Sequence, residues 1–122
     1  MKIAGYFCKE VINKLNLVID EGTPIYIGEI NEQHMISRHP YEYDKYQGEI
    51  SNIINAPDYV GINPHDNSIM YVKEYEEFGE YIRLGVRVAC SGKYFARTLH
   101  LLSTYNAEKY IEKGTLIKID KT

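Results

Sequence analysis

The chain has 122 residues, of which 44% are hydrophobic and 25% charged, so it can form one hydrophobic core and is too short for two. We therefore expect a single domain over residues 1–122 and not a disordered protein. No apolar run approaches the roughly 18 residues of a membrane span, and the start lacks a signal-peptide pattern, which predicts a cytoplasmic protein with no membrane partner. The net charge of −3 does not suggest nucleic-acid binding, because such proteins usually carry a basic surface.

Short extended and helical patterns alternate over the first forty residues. Lys2–Tyr6 is a predicted strand, and Lys9–Leu15 is a predicted helix whose apolar residues share one face. A turn at residues 20–24 leads into a predicted strand over Ile25–Ile30. Asn31, a residue type that caps helices well, precedes a predicted helix over Glu32–Arg38.

Pro40 separates this helix from the next one. A residue before proline is pushed out of helical geometry, so His39 should end the first helix. Proline is also favoured at the first position of a helix, which makes His39 the predicted N-cap of a second helix that runs to about Asn55. Tyrosines and isoleucines at helical spacing predict that one face of this second helix is buried.

The rest of the chain reads mainly as strands. Every second residue from Ile82 to Cys90 is apolar, so this set should face the core, and Cys90 and Cys8, which lie in no metal-binding spacing, should be reduced core thiols. Helices first and antiparallel strands later predict an α+β domain. The remaining segments are an extended piece at Tyr59–Ile62, strands over Ser68–Glu76, Tyr94–Leu101 and Thr115–Ile119, and a helix over Asn106–Lys113.

The histidines around Pro40 are the first candidate site. His34 and Arg38 are four residues apart and share a helix face, and His39 lies at a helix start, where an anion such as phosphate is favoured. Histidine titrates near neutral pH and is therefore suited to acid–base chemistry. The alternatives are a simple cap with a surface histidine, or a metal site that His65 and Asp66 would join.

Basic residues on the later strands form the second candidate. Arg83 and Arg87 occupy the polar side of their strand, and Thr98 and His100 should lie on the same open face. Arg97 has the opposite parity, so it lies at a bulge, pairs with a carboxylate, or belongs to a site. Lys73 shares its parity with Tyr71 and Tyr75, which fits either a surface lysine or a phosphate contact beside stacking rings.

Several motifs in order resemble one known family. They are RHP (residues 38–40), NIINAPDYVG (52–61), SIMYVK (68–73), GVRVACSGKYFARTL (85–99) and YIEKGTLIKI (110–119), after the opening KIAGYFCKEVINKLN. Together they resemble the third subfamily of phage- and prophage-associated nuclease-like domains that are grouped with barnase, EndoU, the tRNase colicins and RelE. The resemblance implies N-terminal helices packed on a mainly antiparallel four-stranded sheet, as in a barnase/RelE-like nuclease fold.

The resemblance also implies an activity, that of a metal-independent endoribonuclease without a cofactor. It implies a cytoplasmic effector or toxin of a phage, a prophage or their bacterial host, which acts on RNA (tRNA among the candidates) and has an antitoxin or immunity protein as a possible partner. The 2′-hydroxyl of the RNA would attack the adjacent phosphate and leave a cyclic phosphate. The alternative is a non-catalytic copy that binds RNA or protein through the same surface.

Residues of the family motifs match positions of this chain one by one. His39 and His34 would be the general base and acid, in either order, while Lys73 and Arg97 would stabilise charge on the phosphate. Thr98 would bond a non-bridging oxygen of that phosphate. Substrate binding would fall to Arg87, Arg38 and Tyr71, the last by stacking on a base.

Overall fold

A computed structural model describes residues 1–120, and a seven-stranded sheet forms their centre. The strand order is β1-β2-β6-β5-β4-β3-β7, and every neighbouring pair is antiparallel except β2 and β6. The strands are β1 (Lys2–Tyr6), β2 (Pro24–Ile27), β3 (Tyr59–Ile62), β4 (Ile69–Tyr75), β5 (Glu80–Val88), β6 (Tyr94–Leu102) and β7 (Leu116–Lys118).

The mixed α+β class and the mainly antiparallel sheet are confirmed, whereas the expected number of four strands is wrong. The sheet continues beyond its four central strands, β3 to β6, on both sides. On one side β2 makes a short parallel pairing with β6 through Tyr94 and Phe95 and carries β1. On the other side β7 pairs with β3.

Helices cover both faces of the sheet and the part of strand β6 that has no β2 partner. They are α1 (Lys9–Leu15), α2 (Glu29–Arg38), α3 (Pro40–Tyr46), α4 (Ile50–Asn55) and α5 (Thr104–Lys113). The larger apolar cluster joins α1, α3 and α4 to one face, and a smaller cluster joins α5 to the other. Helices α2 and α3 pack beside β6, along the part of that strand that β2 does not reach. No helix within residues 1–120 is long and apolar enough to span a membrane.

Three helices have boundaries that differ from those predicted. One is α5, which starts at Thr104 and not at Asn106, because the Ser103 side chain is its N-cap. Helix α2 starts at Glu29, because the Asn31 side chain lies inside the first turn and accepts a hydrogen bond from the Gly28 amide at 2.9 Å. The second helix is interrupted by a 3-10 turn over Gln47–Glu49, which separates α3 from α4. Helix α1 has the predicted bounds.

The alternation along β5 is confirmed in its first part. Ile82, Leu84 and Val86 are fully buried in the larger apolar cluster. The prediction is wrong for Val88 and Cys90, which are exposed because β5 ends at Val88 and the chain turns away from the core.

Candidate functional site

A polar cleft of about 410 Å³ lies between α2 and strands β5 and β6. Ile30 and Met35 form its apolar wall, and Asn31 and Asp66 also line it. The structure brings six of the predicted site residues together here: His34, Arg38, His39, Arg87, Arg97 and Thr98. These side chains come from sequence positions up to 64 residues apart, so the cleft depends on how α2 packs against β6.

Helix α2 supplies the histidine side of the cleft. Met35 is 1% exposed and anchors the helix in the larger apolar cluster, so that His34 and Arg38, one residue and three residues away, stay at the surface. His39 follows directly and ends the helix where Pro40 begins α3, as predicted. The His39 side chain makes no capping hydrogen bond, so its contribution is to the cleft and not to the helix end.

A β-bulge supplies the other side. Gly85 pairs with Thr98 and Val86 pairs with Ala96, which leaves Arg97 as the extra residue of β6. The bulge turns both Arg97 and Thr98 towards solvent at the cleft, and it resolves the parity conflict that Arg97 presented. Gly85 lies opposite Thr98, and a Cβ at Gly85 would overlap the Thr98 Oγ1 atom unless the Thr98 side chain rotated.

His39 is held from two directions. Its Nδ1 atom lies 3.4 Å from Glu42 Oε2, an oxygen that also accepts a hydrogen bond from the Leu101 amide at 3.0 Å. Its ring stacks on the ring of His100 with centroids 5.1 Å apart and an interplanar angle of 24°. Since Glu42 occupies the Nδ1 side, Nε2 is the nitrogen left for proton transfer with a ligand.

His100 extends this arrangement into the interior. An Arg83 guanidinium nitrogen contacts His100 Nε2. A guanidinium can only donate, so the neutral ring accepts at Nε2 and carries its hydrogen on Nδ1, which is buried and has no hydrogen-bond partner among residues 1–120. Burial, the Arg83 charge and His39 lower the pKa of His100 to about 4, against a smaller opposing effect of Glu42. His100 is therefore neutral at pH 7.

Asp66 is the acidic member of the cleft. Its Oδ1 atom accepts hydrogen bonds from the Ser68 hydroxyl at 2.7 Å and from the Ser68 amide at 3.0 Å. These bonds, helped by the nearby charges of Arg87 and Arg83, lower the pKa of Asp66, so it stays ionised. Three arginines face this single carboxylate among the cleft residues, which leaves a net positive site on an acidic protein.

Two predicted site residues lie outside the cleft. Lys73 pairs with Ile82 on the opposite face of the sheet, and its Nζ donates a hydrogen bond to the Ala56 carbonyl at 2.8 Å. Tyr71 is fully buried beside Leu84, so its ring has no surface on which a base could stack. Its parity indicated a shared face correctly, but that face is the core.

Three residues were not assigned a role at a phosphate site, namely His100, Glu42 and Asp66, the last of which was considered only as a metal ligand. For His100 a signal existed, because it shares strand parity with Thr98. For Glu42 the only signal is its position three residues after His39. Within residues 1–120, no three His, Cys, Asp or Glu side chains come together as a possible metal site, so His65 and Asp66 do not join His34 and His39 in one.

A net positive cleft with two histidines and a hydroxyl suits a protein that binds or cleaves phosphodiesters. Residues 2–119 match the family described as phage-Barnase-EndoU-ColicinE5/D-RelE like nuclease 3, and the chain belongs to that family. The resemblance seen in the sequence motifs is thereby confirmed. No curated protein and no solved structure matches the chain significantly.

Proposed function

We propose that this nuclease-family protein is an endoribonuclease that needs no metal ion. The observation that carries the proposal is the cleft itself, in which two histidines face three arginines and a threonine. Imidazoles can transfer protons near neutral pH, and an arginine can donate two parallel hydrogen bonds to the oxygens of one phosphate.

The reaction is an internal transfer of the phosphoryl group. One of His34 and His39 removes the proton from the ribose 2′-hydroxyl, whose oxygen then forms a bond to the adjacent phosphorus. The bond from phosphorus to the 5′-oxygen breaks, and the other histidine, in its protonated form, delivers a proton to that oxygen. The products are a 2′,3′-cyclic phosphate and a free 5′-hydroxyl, and no further reactant is needed.

The contacts of His39 with Glu42 and His100 support a role for His39 in proton transfer. The Glu42 carboxylate lies 3.4 Å from Nδ1 of the ring, and the neutral His100 ring stacks on the face of the imidazole without adding a charge. A catalytic group that is held in place loses less entropy on the way to the transition state. His34 is exposed on α2, and no comparable contact from residues 1–120 holds it.

The arginines and Thr98 stabilise the phosphate as negative charge builds up on its oxygens. Arg97 and Thr98 are adjacent at the bulge, and a rigid sheet positions them before substrate arrives. Arg87 and Arg38 lie on opposite sides of the cleft and bind the phosphates of the RNA strand. Lys73 has no part in this mechanism, since it lies on the other face of the sheet.

The biological role follows as part of the same proposal. The family is described as phage-associated, which suits an effector or toxin that cleaves RNA in the bacterial cytoplasm. A partner that neutralises such an enzyme would be expected to be acidic where it meets the cleft, because three arginines lie there.

Variants of the two histidines test the proposal. Purified protein is incubated with a mixed-sequence RNA in the presence of a chelator, and cleavage rates are compared for wild type, His39→Ala and His34→Ala. We expect each substitution to lower the rate by about 10²- to 10⁴-fold, the usual contribution of a general acid or base. His65→Ala is the matched control, since His65 is an exposed histidine outside the cleft.

Two outcomes would count against the proposal. Activity that the chelator abolishes would point to a metal-dependent enzyme. RNA binding without any cleavage would point to a binding module with a nuclease fold, and binding would then be weakened by Arg97→Ala while His39→Ala has little effect.

A further inference from the structure

A second recess of about 470 Å³ adjoins the cleft. Both are lined by Ile30, Asn31 and Arg97, so they adjoin each other along α2, and the two together are called the groove. The recess lies at the start of the helix, where Phe95 comes close to Gly28, and the histidines lie towards its end. Ile30 and His34 are four residues apart, which is about 6 Å along the helix axis.

The recess has an apolar surface that is open to solvent. Ile30 is 68% exposed and Met1 is 67% exposed, and Phe95, which also lines the recess, is half-buried. Phe95 pairs with Arg87 across the strands, so the ring lies beside the cationic part of the groove. Tyr26 supports the ring, with centroids 5.9 Å apart.

Charge decides which part of a nucleotide fits here. Glu29 lines the recess, and an ionised carboxylate repels a phosphate and can only accept hydrogen bonds. Nucleobase edges offer N–H donors, and base rings stack on aromatic side chains. Arg97 lies between the recess and the cleft and suits the phosphate that follows the base.

We propose that this recess is a nucleobase subsite, which stacks one unpaired base on Phe95 while the neighbouring phosphate lies in the cleft. The inference rests on the proposed function and deepens it, because it names single-stranded RNA as the substrate class. A base inside a duplex cannot leave its stack without cost, and the groove is lined for a base that is already free.

Binding rather than cleavage tests the subsite. The probe is a fluorescent single-stranded 2′-O-methyl RNA, which cannot cyclise, in a set with one abasic position moved along the strand. We expect Phe95→Ala to weaken binding of the intact probe roughly 5- to 100-fold, the usual loss for one stacked base. At one position of the strand, the abasic site should weaken binding to wild type by a similar factor. Wild type and Phe95→Ala should then bind that abasic probe equally well.

Phe95→Leu keeps an apolar side chain of similar size, and thermal unfolding shows which variants remain folded. If neither variant folds, the abasic series on wild type decides alone. Phe78→Leu is the matched control, because Phe78 is an exposed aromatic that contacts Lys45 away from the groove. This control should bind the probe as wild type does.

Several results would overturn the subsite. They are equal binding by wild type and the Phe95 variants, equal sensitivity at every abasic position, or no binding at all. Tighter binding by Glu29→Gln together with no abasic effect would mean that the recess holds a second phosphate.

If the probe behaves as expected but no RNA is cleaved, the subsite stands and the proposed catalysis fails. If RNA is cleaved and Phe95 has no effect, only the subsite fails.

Discussion

The half-buried histidine His100 should make the stability of the fold depend on pH. Its pKa falls from the ordinary 6.5 to about 4 in the folded protein, because the ring is buried beside Arg83. The unfolded chain therefore binds a proton between these values that the folded chain does not bind. Stability from this residue is fully present above pH 6.5 and is lost as the pH falls from 6.5 towards 4.

The size of the effect follows from the shift. A pH of 5 is about 1.5 units below the pKa of the unfolded histidine. The expected loss of unfolding free energy is therefore about 2 kcal/mol, at about 1.4 kcal/mol per unit. Part of the ring keeps contact with solvent, which screens the effect, so we expect about 1 kcal/mol. His100→Phe retains a ring that can stack on His39 and removes the titrating group.

Urea unfolding of wild type and His100→Phe at pH 7 and pH 5 measures this contribution. The free energy of unfolding should fall between the two pH values by about 1 kcal/mol more in wild type than in the variant. A ring-proton NMR titration of wild type should give a midpoint near 4 for His100. Equal pH dependence of the two proteins, or a midpoint near 6.5, would refute the burial argument.

Three further predictions concern single residues. Arg97→Ala should weaken RNA binding and reduce the slope of log Kd against log salt by about 1, measured by fluorescence anisotropy, and an unchanged slope would remove Arg97 from phosphate binding. Tyr71→Phe should raise the free energy of unfolding by about 1 kcal/mol in urea, because the buried hydroxyl has no hydrogen-bond partner in the described part of the chain, and a loss of stability would contradict that. Gly85→Ala should cost about 1 to 3 kcal/mol in the same assay, because the new methyl group meets Thr98, and a neutral effect would show that the bulge adapts.

Local patterns predicted much of the fold. The spacing of apolar residues gave α1 with its observed bounds, and Pro40 gave the break between α2 and α3. All seven strands correspond to segments that were predicted as extended, yet the resemblance implied a sheet of four. Joining β2 to β6 needs contacts about 70 residues apart, which no local pattern specifies.

The site was predictable where a motif and its geometry coincide. His34, Arg38 and His39 are close in sequence, so their meeting in one cleft needed only the helix and its proline. His100 was placed on the open face by parity, but its contact with His39 arises from the packing of α2 and α3 beside β6. Strand parity could not show that the face of the sheet on which Tyr71 lies is the one buried in the core.

The most direct measurement uses an oligonucleotide that is DNA except for one ribonucleotide, with a chelator present. If the cleft acts as we propose, wild type cuts only after the ribose, the 5′ fragment carries a cyclic phosphate by mass spectrometry, and His39→Ala leaves the strand intact. Cutting of the all-DNA strand, or a 5′ fragment that ends in a free 3′-hydroxyl, would contradict attack by the 2′-hydroxyl.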